Sequence, residues 1–575
     1  MQKYNLLEYI KKIFFNDLNK YDFTLEANTN PIVNESSKDK TNLTLDNQTI
    51  SLNTPQKVFN ILDLNLDYIK TRFNSMINSD IQIREFCLNA RNRQFKAFLV
   101  FIDGMVNTDS MNDFILKPLM LNASSKIEDQ DRIVAEVVTN NITVRKVKKF
   151  NMLDYIFNCL LPQNAVRKTN NFDELVSGIN SGNCALFIDT LDVAFDIEVK
   201  GFEKRSLDNP NNEVIVRGAQ VGFTENIRTN TSLLRRYVNN ENLIIESINL
   251  GKLSKTSCAV CYIKNVANSD LIAEVKYRIN NLNIDYINSS GQLEQLIQDN
   301  GNISLPQIIS TERPDKASNM LFEGRVCIIV NGSPFVLIAP SNISDFLASP
   351  EDLNLKHQYS NFVRVLRIVA LFITILLPGL YMAITNFHQE LIPTELLFAI
   401  VASRESVPFP IILEILMMEF SFELIREASL RVPNPIGPTI GIVGALILGQ
   451  AAVEASIVSP ILIIIVSITA ICSFTIPDIS LGFHARLTRF IYILLGGFTG
   501  FLGIASGIII HLIIICNMKS FGVPYIEPKI LSRINSGKGT ILTPAWEREN
   551  RAEYLRTKRP KEQNNVSMPW RNVNE

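Results

Sequence analysis

The sequence predicts an α/β-class chain in two parts: two related soluble α+β subdomains, then an all-α polytopic membrane domain. Three observations predict it. Short apolar runs alternate with helical patterns from about residue 60 to 350, the order of those pieces repeats once, and apolar stretches of membrane-crossing length fall only within residues 360–518. Whole-chain values conceal the division, because a formal net charge of -1, a pI near 6.5 and a mean hydropathy of +0.12 average a polar half with an apolar one. At 575 residues several domains are expected. Neither the basic surplus of a nucleic-acid-binding protein nor a disordered composition is present.

Residues 1–60, rich in Asn, Asp, Lys and Thr, read as a polar arm. The opening MQKYNLLEYIKKIFF interleaves charge with apolar residues, so no secretory signal is expected. Subdomain 1 is placed at 60–205 and subdomain 2 at 206–350, because FIDGMVNTDSMNDFILKPLM (101–120) and YIKNVANSDLIAEVKYRI (262–279) both read strand, polar turn, helix. A second pair, ALFIDTLDVAFDIEVKG and CIIVNGSPFVLIAP, reads as two hairpins with polar turns at Asp189-Thr190 and Asn331-Gly332-Ser333.

Catalytic and cofactor motifs are weak throughout. Asp103 and Asp189 follow strands but have no His, Lys or metal-ligand companion at a motif spacing, and turn formation explains them. Cys258-Ala-Val-Cys261 lacks the second pair of a zinc ribbon and sits in SCAVCYI, which reads as a strand of buried thiols. The string SGKGT lacks the leading glycine of a phosphate loop. No catalytic residue, metal site or cofactor is therefore assigned, and no enzyme is expected. Arg217, Gly218 and Gly222, with Arg235 and Arg236 beyond them, read either as an anion-binding loop or as a subunit contact, and the contact is the favoured reading.

In the apolar part, 367–386, 436–456, 461–476 and 489–517 read as four spans, and 391–430 as re-entrant or amphipathic helices broken by charge and proline. On one helix Glu419, Glu423, Arg426 and Glu427 fall within about 100° of one another, with Glu414 opposite. Glu419, Glu423, Glu427, Gln450 and Glu454 are the candidate ion-pathway groups, since ionisable side chains at membrane depth tend to face a bundle interior or water. Gly437, Gly441, Ala445 and Gly449, and Gly496, Gly500, Gly503 and Gly507, have the spacing of close helix packing. Arg364 and Arg367 before the first span and the basic tail 519–575 place both ends in the cytosol. Four crossings would then leave Arg426, Arg486 and Arg489 on the outer side, against the usual bias.

The strings IDGMVNTDSMNDFILKPLM, ENIRTNTSLLRRYV, TERPDKASNMLFEGRVCIIVNGSPFVLIAP, PFPIILEILMMEFSFELIREASLRVPNPIG, VGALILGQAAVEASIVSP and SFGVPYIEP, in this order, resemble the A subunit of Ger-type nutrient germinant receptors of endospore-forming bacteria. The resemblance implies an inner-spore-membrane protein with a cytosolic N-terminal domain, beside a transporter-like B subunit and a lipoprotein C subunit. It also implies a homo-oligomer that passes monovalent cations when nutrient is sensed, with the nutrient pocket in the B subunit. A non-conducting scaffold of the receptor, or an A-like protein of dipicolinate release, shares the same fold. Where the family pattern has RGPREGF, this chain has Arg217-Gly218-Ala219-Gln220-Val221-Gly222-Phe223, which weakens a contact role for that loop.

Overall fold

The computed structural model describes residues 57–90, 93–121, 152–201, 210, 212–431, 449–526 and 541–563, with short pieces at 23–25, 44–45, 48–49, 136–139 and 142–145. Most of the arm 1–60 and the candidates Gly437, Gly441 and Ala445 lie outside the described residues.

Two five-stranded sheets with the same strand order form the soluble part. The first comprises β1 (Ile81–Ala90), β2 (Arg93–Ile102), β3 (Val166–Thr169), β4 (Cys184–Ile188) and β5 (Ala194–Ile197), ordered β1-β2-β4-β5-β3. The second comprises β6 (Leu243–Leu250), β7 (Thr256–Ile263), β8 (Ile309–Thr311), β9 (Val326–Val330) and β10 (Val336–Ala339), ordered β6-β7-β9-β10-β8. All neighbours are antiparallel, and corresponding central pairs are Leu99↔Leu186 and Val260↔Ile328. The α+β architecture and its internal repeat are those the sequence predicts.

The middle strands are apolar on both faces because both are covered. In β2, Phe98, Val100 and Ile102 pack against helices α1 (Leu62–Arg72) and α2 (Phe172–Asn180), while Ala97 and Leu99 meet a separate cluster with Ile115 and Leu119. In β9, Cys327 and Ile329 face α3 (Ile227–Tyr237) and α6 (Pro314–Glu323). Val326, Ile328 and Val330 face α4 (Ser269–Asn280) and α5 (Ser290–Ile297). Cys258-Ala-Val-Cys261 lies in β7 with both thiols buried, and burial pushes the Cys258 thiol up to about 12.

Seven further elements follow: α7 (His357–Phe387), α8 (Thr394–Arg404), α9 (Ile411–Arg431), a short helical turn at 449–454, α10 (Pro460–Phe474), α11 (Ile479–Thr499) and α12 (Phe501–Asn517). The lobe-proximal end of this domain is fixed by contact. Ile476, Leu481, Ala485, Ile515 and Met518 share one core with Leu305, Ile309 and Leu321 of the second sheet's layer, and Leu371 and Ile375 of α7 pack on it. Arg364 and Arg367 of α7 both hold the buried carboxylate of Asp352, at 2.9 and 2.8 Å.

Helix directions follow from pairs at either end. α7 and α11 run side by side in the same direction, because Gly379 approaches Tyr492 and Gly496, and Phe387 approaches Gly500. α9 and α10 are likewise parallel, with Glu414 beside Ser459 at the distal end and Arg426 beside Ser473 at the proximal end.

Two expectations are corrected here. The apolar run 489–517 is two antiparallel helices, α11 and α12, broken at Gly500, whose φ of 61° ends one helix and starts the next. The segment 391–430 is a short distal helix followed by α9, which runs the length of the domain beside α10. Arg426 and Arg486 consequently lie toward the proximal end, as do Arg364 and Arg367, whereas Arg489 stands at the middle of α11.

The chain returns to the lobe after α12. Phe521, Val523 and Tyr525 are buried in the cores on the two faces of the second sheet. The Ser520 hydroxyl donates to the Gln307 carbonyl at 2.6 Å, and the Phe521 N–H donates to Asp299 at 2.7 Å. Residues 541–563 then lie along the lobe: Arg325 Nη2 meets the Tyr554 hydroxyl at 2.9 Å, and the Lys558 N–H donates to the Val266 carbonyl at 3.0 Å.

Candidate functional site: a charged network within the helical domain

The predicted polar stripe of α9 forms, but its charges are compensated. Glu419, with no exposed surface, places Oε2 2.9 Å from Arg489 Nη2 of α11. The same Nη2 lies 3.0 Å from Glu423 Oε1, and Arg426 Nη1 is 3.2 Å from that oxygen. Arg426 also donates to the Ser473 hydroxyl of α10 at 2.9 Å and lies over the Phe474 ring at 4.8 Å. Two carboxylates and two guanidiniums thus tie three helices together. The cation that compensates these acidic groups is Arg489, 66 residues beyond Glu423 in the chain.

Glu419 is the anomalous member. Its two oxygens are buried without a well-aligned hydrogen bond, although Arg489 stands within ion-pairing distance. Charge alone holds it. A buried carboxylate in that state is costly unless its counter-ion stays in place. Glu414 is treated differently: it is buried at the distal end, where one oxygen accepts the Ser459 N–H at 2.5 Å at the start of α10 and the other lies 3.5 Å from Arg404 Nε.

The remaining ion-pathway candidates are more open to the surface. Glu427 is exposed. Gln450 and Glu454 are exposed on the short distal turn, where Gln450 donates to Glu454 at 3.0 Å. Sequence reading missed Arg489 as the central cation. Its signal was an arginine three residues after Arg486 inside an otherwise apolar run.

Glycine spacing is partly realised. A Cβ on Gly496 would lie 2.4 Å from the Gly379 carbonyl oxygen, and one on Gly507 would lie 2.8 Å from Leu495, so both mark close helix approach. Gly503 sits in the α11–α12 turn, where a Cβ would meet Thr499 and Leu495 of the preceding helix. Gly500 breaks the helix. Gly449 meets only Ile463, at 3.9 Å, and carries no close approach.

The subunit-contact candidates separate as well. Arg235 is buried and forks onto Asp80 at 2.7 and 2.9 Å, with Nη2 also 3.1 Å from Asn78 Oδ1. It joins the two subdomains of one chain and is not a contact with another. Gly222 is buried, whereas Arg217, Gly218 and Arg236 are exposed. Asp103 accepts the Gly104 N–H at 3.1 Å and pairs with Arg228, a turn residue bridging the subdomains.

These features define a class: a duplicated α+β lobe joined to an apolar helical domain with charges in its interior. Among the described residues one helix, α7, is long and apolar enough to cross a membrane, and α10 and α12 are shorter apolar helices. The chain belongs to the GerA family, since residues 67–554 match the family described as Bacillus/Clostridium GerA spore germination protein. It is 38% identical to spore germination protein KA of Bacillus subtilis (strain 168), over 83% of this chain and 84% of the relative. It is 35% identical to spore germination protein GerLA of Bacillus cereus, over 84% of this chain and 94% of the relative. A crystal structure of the N-terminal domain of the A subunit of the Bacillus megaterium spore germinant receptor GerK3 is 30% identical, covering 50% of this chain and 97% of that one at a TM-score of 0.37.

Proposed function

We propose that this chain is the A subunit of a nutrient germinant receptor whose helical domain forms, in a homo-oligomer, a signal-gated path for monovalent cations in the inner spore membrane. A transporter-like B subunit and a lipoprotein C subunit are its partners. An even number of crossings, with α7, α9, α10, α11 and α12 among them, keeps the lobe and the C-terminal segment on one side. That side is the cytosolic one, because Arg364, Arg367, Arg426 and Arg486 lie toward it.

The observation that carries the reading is Glu419, a carboxylate enclosed among apolar helices and paired with one guanidinium, that of Arg489. An ionisable group so placed is a functional feature by default. With Arg489 in place the interior offers no net negative site. A shift of α11 against α9 would uncover Glu419 and Glu423, and carboxylates in a confined, weakly screened path attract partly hydrated cations. Gln450, Glu454 and Glu427 would be the polar groups presented to neighbouring copies.

One observation favours a non-conducting scaffold: in a single copy, the charges of this network are already balanced. Receptor reconstituted with its partner subunits in liposomes, read by potassium efflux on nutrient addition, separates the two. Efflux that falls in Glu419→Gln while assembly is unchanged supports the cation path. Assembled receptor that passes no potassium overturns it.

A further inference from the structure

The segment 298–308 of the second subdomain touches α11 and α12 through a polar chain in which His484 is buried, His511 half-buried and Ser304 exposed. Ser304 Oγ lies 2.6 Å from His484 Nδ1. Across the same ring, His484 Nε2 lies 3.4 Å from His511 Nε2 of α12 and 3.3 Å from Thr488 Oγ1. The Thr488 hydroxyl donates to the His484 carbonyl at 2.7 Å, so toward the ring it can only accept. The two rings meet edge-on, with centroids 5.3 Å apart and planes at 76°. His484 is 7% exposed and is sealed by the core that contains Leu305, Leu481 and Ala485.

Neutral imidazoles suit this place, because one proton between the facing Nε2 atoms and one between Nδ1 and Ser304 satisfy the chain. Among the described residues a positive ring has no anion to meet. Of the groups on the packed elements, Asp299 is taken by Arg278 and the Phe521 N–H, and Arg367 of α7 by Asp352. Arg489 is held by Glu419 and Glu423, and Arg486 lies over Phe483. Asp478 caps α11 through the Leu481 N–H and interacts with Lys316, Glu213 and Glu294. Among the described residues the titratable group acting on His484 is His511, which is itself basic. A buried, unpaired cation is expensive, and two facing ones more so.

We propose that Ser304, His484 and His511 form a proton-released latch between the soluble lobe and the α11–α12 hairpin, closed while both rings are neutral and opened by acidification. The inference deepens the receptor reading, in that the lobe acts on the helices through this contact, but it requires no conduction. In a linked equilibrium one proton shifts opening by up to about tenfold per pH unit.

The test is hydrogen exchange by mass spectrometry on the full-length protein in lipid nanodiscs, between about pH 8 and about pH 5, the window in which histidine titrates, corrected for intrinsic exchange. Protection of 298–308 is expected to fall on acidification while β6–β10 stay protected. The non-titrating His484→Asn/His511→Gln protein is expected to lose that dependence, and any residual slope belongs to Glu294 and Asp478. A flat profile in the natural protein, or an unchanged slope in the variant, overturns the latch. Should the double variant lose protection in β6–β10 and so prove misfolded, Ser304→Ala decides: exchange of 298–308 at pH 8 rising to the acid level supports the proposal, and unchanged protection refutes it. Exchange is read without ion flux, so failure of the cation path and failure of the latch are distinguishable.

Discussion

Replacing Arg489 by Gln tests the charged network most directly. The side chain is 1% exposed and is the cation shared by Glu419 and Glu423, at 2.9 and 3.0 Å. Removing it strands Glu419, whose oxygens have no aligned hydrogen-bond donor, while Glu423 keeps Arg426. Breaking a buried pair by deleting one partner costs about 3–5 kcal/mol, and removing both charges costs far less. Arg489→Gln should therefore destabilise the helical domain by about 3–5 kcal/mol, whereas Glu419→Gln/Arg489→Gln should recover roughly half or more of that loss. Equilibrium unfolding of the purified protein in mixed micelles, followed by helical circular dichroism for the natural protein, both single variants and the double, gives the coupling energy. A coupling below about 0.5 kcal/mol would mean that the two groups act independently and that Glu419 is not held by Arg489.

Two further outcomes are expected. Gly496→Ala should force α7 and α11 apart, because its methyl would meet the Gly379 carbonyl at 2.4 Å, and should lower stability by about 1–3 kcal/mol, read from the thermal midpoint; Gly482→Ala, which meets nothing within 4 Å, is the control. Burial and then the nearby Asp478 push Glu294 up from 4.5 to about 7. The folded state thus holds a proton that the unfolded state releases, so stability should fall as pH rises from about 4.5 to about 7, and Glu294→Gln should flatten that slope in pH-dependent melting.

The lobe was legible because its signals are local. FKAFLVFI and VCIIV announce strands covered on both faces, SCAVCYI reads as the strand it is, and the polar turns at Asp189-Thr190 and Asn331-Gly332-Ser333 join β4 to β5 and β9 to β10. The helical domain hid more. Only Thr499 marks the break at Gly500, since a glycine at positive φ turns an apolar hairpin with almost no change of hydropathy. The charges of α9 suggested a water-facing stripe because their partners Arg489 and Ser473 come from other helices, 66 and 47 residues on. Arg235 read as a surface arginine for the same reason, its partner Asp80 lying 155 residues upstream.

The burial of Phe521, Val523 and Tyr525 sets an order of events during synthesis. These side chains complete both faces of the second sheet, yet they leave the ribosome only after the last helix of the bilayer-seeking half. A lobe translated early must wait, its hydrophobic surfaces incompletely covered, until insertion has brought the chain back. Completion of the soluble half thereby depends on the helical half having been made and having returned the chain to the second sheet.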